Sequence, residues 1–370
     1  MKRNEYAKID EMPYQKYHDS PTIKFYTSWP LYDEAFVPPN GRAELLIEER
    51  VMPGSRKVEL FPEGGFRGEG ELIELEPSLF SMDEGKILAR HILSLRGTIR
   101  IDVPRGEKRK IEVVSIPPKL GSSHHHLRIE LEDGSETDLV FLSTAKGSSG
   151  APFVTAEIYV KGSTLRMWNI SAFEGGGLPM IWSRILSENG GRVEVRNIVI
   201  GGRSNLVSNE VFMEGERGKS SISSFFFASN NEKIDHVTNI FNRSPGGVAE
   251  ISGRGFNFGG TLVHRGKLKV YQEARGSENS LSSIIYRSGR GVKSYSIPSL
   301  EVESSDLISA SHETSISSIP EDVLFYMRTR GLSRRESLEL MLRSFLLWVT
   351  EGIDDGIVER RLNALLKPAL

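Results

Sequence analysis

Residues 220–230 read SSISSFFFASN, a serine-rich run whose apolar members Ile222, Phe225 and Phe227 offer consecutive apolar faces. Aromatic and β-branched residues set among small polar ones favour a strand over a helix. The same texture extends in both directions. From His124 to Asp306 the chain passes through LRIELED, AEIYVKG, TLRMWNISAF, RVEVRNIVIGG, NLVSNEVFMEG and KLKVYQEA. Gly, Asn or Ser interrupts these segments roughly every 8 to 12 residues. Such punctuation fits a β-sandwich or a coiled β-solenoid, and no strict sequence period separates the two. About 180 residues without a three-turn helix favour the solenoid, in which each turn stacks on its neighbours to build one continuous core.

The flanks differ. Residues 1–120 are mixed: RAELLIEERV and RKVELFPEGGFRGEGELIELEP alternate like strands, and MDEGKILARHILSLRG (82–97) has helical spacing with Gly97 as a stop. TIRIDVPRGEKRKIEVVSIPP then reads as a hairpin turning at RGEKRK. Residues 318–370 are helical. Ser318, with Glu321 three residues on and Pro320 in the first turn, reads as a capping box opening SIPEDVLFYMRTRG, which Gly331 closes. Ser333 and Glu336 repeat the device ahead of a helix whose Leu338, Met341, Leu342, Phe345 and Val349 share one face, and DDGIVERRLNALLKPAL supplies a third helix. The expected architecture is mainly β. A solenoid over 121–317 lies between an α/β N-terminal region and a C-terminal helical subdomain.

None of the 370 residues is cysteine, which excludes disulfides, thiolate metal sites and a cysteine nucleophile. Any metal chemistry is left to His, carboxylate or hydroxyl ligands. A formal net charge of −2 removes the simplest electrostatic case for nucleic-acid binding. The longest wholly apolar run, FLLWV at 345–349, is far short of the roughly 20 residues that cross a bilayer. The polar start, MKRNEYAKIDEMPY, lacks a secretory hydrophobic region, so the chain is expected in the cytoplasm and away from membranes. The glycine pairs in GGRSN and SPGG lack the Walker spacing ending in Lys-Ser/Thr, so ATP binding by this chain itself is not expected.

Three segments then follow in a telling order: NNEKIDHVTNIFNRSP, RGKLKVYQEARGSENSLSS and GVKSYSIPSLEVESSDLISASHETSISSIPEDVLFYMRTRGLSRRESLELMLRSF. They hold an Asp-His pair, a Tyr-Gln strand, a Pro-x-Leu-Glu strand, a His motif and a Leu-Phe-Tyr helix ending in Arg-Gly. In this, residues 230–350 resemble the SufB/SufD family of iron–sulfur cluster assembly proteins. The resemblance implies a right-handed parallel β-helix core and a non-enzymatic role in a scaffold. It implies two partners: a SufC-type ABC ATPase docking on the C-terminal helices, and SufB or a second SufB/SufD-family chain completing a hetero- or homodimer. It implies no stably bound cofactor, only transient iron or an iron–sulfur cluster at the subunit interface. The absence of cysteine makes the chain more similar to SufD than to SufB. Ala310-Ser311-His312-Glu313 stands where many SufD chains carry Cys-Ser-His-Gly, while Glu313 is similar to the His-Glu found at that place in SufB.

His312 is the leading candidate for a cluster or metal contact, because a neutral imidazole is a competent iron ligand and Glu313 could add an oxygen or orient a neighbour. Adjacent strand residues point to opposite faces, so both reach one ion only where the backbone bends. Phe325, Tyr326, Arg328, Arg330 and Trp348 are the candidates for the ATPase-facing surface, since aromatic and Arg side chains dominate interface hot spots. His124 and His126 share a face at period-2 spacing, a two-ligand half-site without a visible third ligand; a polar edge is the simpler reading. Asp235 and His236, adjacent in sequence, cannot orient each other as a catalytic triad requires. His91 and His264 show no partner. Two rival readings remain. One is a carbohydrate-active β-helix enzyme, although Asp235, Glu250 and Glu273 do not converge on a recognisable arrangement. The other is a structural homodimer without cluster chemistry.

Overall fold

The computed structural model describes residues 8–17, 19, 25–75, 78–289 and 291–366. Short strands come first: β1 (Asn40–Arg42), β2 (Arg56–Leu60), β3 (Phe66–Gly68), β4 (Glu71–Ile73), β5 (Thr98–Val103), β6 (Lys108–Ser115) and β7 (Pro118–Leu120). Longer ones follow: β8 (Ser122–Leu131), β9 (Glu136–Lys146), β10 (Ala151–Lys161), β11 (Thr164–Glu174), β12 (Met180–Glu188), β13 (Arg192–Gly201) and β14 (Asn205–Met213). The run ends with β15 (Lys219–Ser229), β16 (Lys233–Asn242), β17 (Val248–Phe258), β18 (Thr261–Val270), β19 (Ser277–Arg287), β20 (Lys293–Val302) and β21 (Leu307–Ser318). Helices α1 (Trp29–Glu34) and α2 (Lys86–Ser94) lie in the N-terminal region. Helices α3 (Glu321–Thr329), α4 (Arg334–Thr350) and α5 (Asp355–Leu366) follow β21.

From β8 onward, even-numbered strands stack in one sheet, which β5 and β4 continue, and odd-numbered strands stack in the other, which β6, β2 and β3 continue. Successive strands therefore alternate between two parallel sheets, giving a β-solenoid of about 8 turns. The SSISSFFFASN segment forms much of β15 and shows why the core is continuous. Ile222 stacks in register between Val195 and Ile251 in the interior. Phe226 also points inward, whereas Phe225 and Phe227 point out and lie under the C-terminal helices. A strand buried on both faces can carry consecutive aromatics, because neither set meets water. Leu338, Met341, Leu342, Leu346 and Val349 of α4 pack on that outer face, with Phe345 half-buried beside them. Each fully buried side chain of this kind stabilises the joint by about 1.5–3 kcal/mol.

Two local expectations fail for identifiable reasons. β5 and β6 do not form a hairpin: β5 pairs with β8, and β6 with β9, so the RGEKRK turn is a corner between opposite sheets. The capping box at Ser318 does not form, because β21 runs through Ser318 and Pro320 takes the cap position of α3. The second box does form: Ser333 Oγ accepts from the Glu336 backbone N–H at 3.2 Å and the Glu336 carboxylate accepts from the Ser333 N–H at 2.7 Å. α2 stops at Ser94, before Gly97. The last four residues of the third expected C-terminal helix lie outside the described residues.

Candidate functional site at the open end of the solenoid

The two ends of the solenoid are built differently. At the N-terminal end, β3 lies antiparallel on β2 and β4 antiparallel on β5. At the other end β20 and β21 are the last strands of their sheets, each with one hydrogen-bonding edge unpaired among the described residues. An unpaired edge is a template for strand addition. Every residue from Ile308 to Ile316 is exposed, in contrast to the buried alternation of β19.

His312 and Glu313 sit in the middle of that edge. His312 is opposite Leu281 and Thr314 opposite Ser283 in the β19–β21 register. Leu281 and Ser283 point into the core, so His312 and Thr314 face the mouth of the solenoid and Glu313 faces outward. Thr314 Oγ1 bridges the mouth by donating to Ser296 Oγ of β20 at 2.7 Å. The only irregularity in this strand pair lies at Ser277/Glu278, so no bend brings the His312 and Glu313 side chains together. Among the described residues no group of three His or carboxylate side chains is arranged to hold a metal ion.

The candidate partner surface divides. Phe325 and Tyr326 of α3 are 67% and 59% exposed, and Arg328 and Arg330 are exposed beside them. Arg330 lies over the Tyr326 ring and donates to its hydroxyl at 3.2 Å, which holds both outside. Trp348 is half-buried under the Arg254 guanidinium, 4.3 Å from its ring centre, and so is partly committed to the solenoid. Leu324, Leu342 and Leu346 are core, as their spacing suggests, with Met327 and Phe345 packed against them. Ile319 is buried in the same cluster, so two residues join the open edge to α3.

Five of the other histidines find partners that the sequence did not reveal. His91 of α2 meets His124 at 3.1 Å between their Nδ1 atoms and contacts Thr155 Oγ1 through Nε2 at 3.0 Å. His126 reaches the same Thr155 hydroxyl at 2.9 Å. Burial pushes His91 well below the usual imidazole range, His124 down to about 3 and His126 to about 4. His236 and His264 stack inside the solenoid, and each ring nitrogen has a partner: Val207 O and Ser224 for His236, Thr238 and Ser283 for His264. Asp235 points the opposite way, to Arg265 at 2.7 Å and to Thr27, so Asp235 and His236 form no dyad. Glu250 is exposed on the other sheet and Glu273 lies in a turn, so these carboxylates share no groove with Asp235. No helix among the described residues is long and apolar enough to cross a membrane.

Residues 116–345 match the family described as "SUF system FeS cluster assembly, SufBD core domain". The chain is similar to an iron–sulfur cluster assembly SufBD family protein of Mycobacterium tuberculosis, 24% identical over 188 residues, covering 50% of this chain and 22% of that protein. A SufBD family protein of Staphylococcus saprophyticus is 24% identical over 194 residues, 52% of this chain and 40% of the relative. One from Mycobacterium leprae is 23% identical over 181 residues, 47% of this chain and 46% of the relative. The aligned region thus spans less than half the length of each of these relatives.

Proposed function

The chain belongs to the SufBD family of the SUF iron–sulfur cluster assembly system, and from that premise we propose that it serves as a SufD-like, non-enzymatic scaffold subunit in the cytoplasm. The observation that carries the reading is the uncapped terminal turn with His312 at its centre. SufB, or a second SufB/SufD-family chain, adds its own edge to β20 or β21 and closes the mouth. His312 then faces the partner across a seam that excludes water. Transient iron or a nascent cluster is the cargo there: the imidazole offers nitrogen, and the second chain supplies the thiols this chain lacks. Glu313, on the outward face, engages the partner rather than the same ion. A SufC-type ATPase docks on Phe325, Tyr326, Arg328 and Arg330, with Trp348 at the margin. Because buried Ile319 ties α3 to β21, displacement of α3 by the ATPase reaches the His312 strand over a short path.

Co-expression with a SufC-type ATPase and a cysteine-bearing family chain tests the proposal. The expected result is a stoichiometric complex in which Phe325→Ala/Tyr326→Ala releases the ATPase but keeps the family partner. His312→Ala is expected to assemble normally and to lose most of the cluster formed on anaerobic reconstitution. A His312→Ala complex that reconstitutes like wild type would return the chain to a purely structural pairing role, and failure to form any complex would sink the proposal.

A further inference from the structure

The outer face of the nine-stranded sheet near its N-terminal end carries an unusual polar seam under α2. Three histidines meet there, and the nearest carboxylate, Glu157, stands 4.0 Å from His126. Their partners allow two opposite proton orders, and the carboxylate of Glu157 selects one. Glu157 of β10 accepts from the backbone N–H groups of Ser78, Leu79 and Phe80 and from the hydroxyls of Ser78 and Tyr159, so it acts here as an acceptor. His126 Nε2 has no hydrogen bond and lies 4.0 Å from Glu157 Oε1. A lone pair facing a carboxylate is repelled, so His126 turns its N–H toward Glu157 and its Nδ1 lone pair toward Thr155. The Thr155 hydroxyl must then donate to His126 and accept from His91 Nε2–H. That leaves His91 with a lone pair at Nδ1, which accepts from His124 Nδ1–H, and His124 Nε2 accepts from Ser122 Oγ at 2.9 Å.

We propose that this chain, Ser122–His124–His91–Thr155–His126, is an acid-opened latch that holds α2 on the solenoid only while its three imidazoles are uncharged. A proton on His91 sets two N–H donors face to face across 3.1 Å. A proton on His126 leaves the Thr155 hydroxyl without an acceptor. Among the described residues the remaining charged groups around the seam are already engaged: Arg90 and Lys86 of α2 with Asp33, Arg90 also with Asp10, Arg128 of β8 with Glu130, and Arg184 of β12 with Glu84 and Glu210. His125 points to the opposite face, near the Phe61–Gly65 backbone, Glu63 and Arg96. Among the described residues Glu157 is the one anion facing the chain, and its carboxylate is filled by other donors. Opening would bare Phe153, which stacks on His124 and Phe36.

The sign follows from burial. All three rings sit lower in the closed seam than in water, so closure is fully held above about pH 6.5 and weakens as pH falls toward the folded values. Between pH 7.5 and 5.5 each ring favours the open form by roughly tenfold, and three rings by about a thousandfold. Amide hydrogen exchange on the full chain, corrected for intrinsic rates, is the test. Protection of 86–94 is expected to drop by two to three orders of magnitude across that range (about 10²–10³) while β11 and β13 hold theirs. His91→Gln, neutral at every pH, is expected to remove about one tenfold factor from that drop. Nitrogen-15 spectra of the wild type are expected to show His124 protonated at Nδ1 and His91 at Nε2. Equal loss of protection in β13 and α2, a pH-independent α2, or a His91 protonated at Nδ1 overturns the latch.

Discussion

Ile308 tests the open-edge reading most directly. It is the extra residue where the β19–β21 register shifts, and it projects from the last strand 70% exposed. In the free chain Ile308→Lys places an ammonium in water where nothing packs, so its effect on folding should stay within about 0.5 kcal/mol. In a pair joined through this edge the isoleucine is covered. Full burial of such a side chain stabilises by about 1.5–3 kcal/mol, so covering the exposed 70% contributes about 1–2 kcal/mol per copy. A two-fold pair has two copies of the site, which makes about 2–4 kcal/mol, or roughly a 30- to 1,000-fold rise in dissociation constant. Burying the ammonium pushes the effect toward the upper end. Sedimentation velocity over a concentration series, alone and with a family partner, reads the constant, and a thermal melt of the monomer reads the fold. If the melt is unchanged and the dissociation constant moves less than about threefold, Ile308 lies outside the interface and the terminal edge is not where the chains meet.

Two further substitutions probe the body that presents the site. In Gly255→Ala the new Cβ would lie 2.0 Å from Cδ2 of Phe226, a fully buried ring, so overpacking is expected to cost about 1–3 kcal/mol or more and to lower the melting temperature by several degrees. Leu346→Ala removes a side chain with no exposure from the seam between α4 and the phenylalanines of β15; a loss of about 2–5 kcal/mol in urea unfolding is expected, and a loss below about 0.5 kcal/mol would mean the helices are not held by that seam.

Much of the solenoid was legible because its determinants are local. Short segments with strand composition and regular Gly, Asn or Ser breaks specify where the chain extends and where it turns. They do not specify the partner of each strand. That is why β5–RGEKRK–β6 looked like a hairpin: the same turn residues serve a tight reversal and a corner between sheets, and the choice is made by β8 and β9, which lie later in the chain. Ser318 failed for a related reason. Its capping pattern is a good local signal, but pairing with Arg287 extends β21 through that residue and removes it from the helix.

The site shows the same division more sharply. The opposite orientation of His312 and Glu313 follows from strand geometry alone, and the register with Leu281 and Ser282 agrees with it. The exposure of Phe325 and Tyr326 could be anticipated once Leu324 was assigned to the core, because neighbours on a helix turn away from one another. His91 was different. Nothing within 82–97 marks it as the third member of a histidine group whose other two lie more than thirty residues on, since only the docking of α2 across β8 and β10 brings them together. The one sequence trace was the period-2 spacing of His124 and His126, which reports a shared face but not what covers it. A histidine pair on a strand face therefore gains meaning from the element laid over it: bare, it is a polar edge; under α2, with Thr155 between the rings, it becomes a proton-ordered joint.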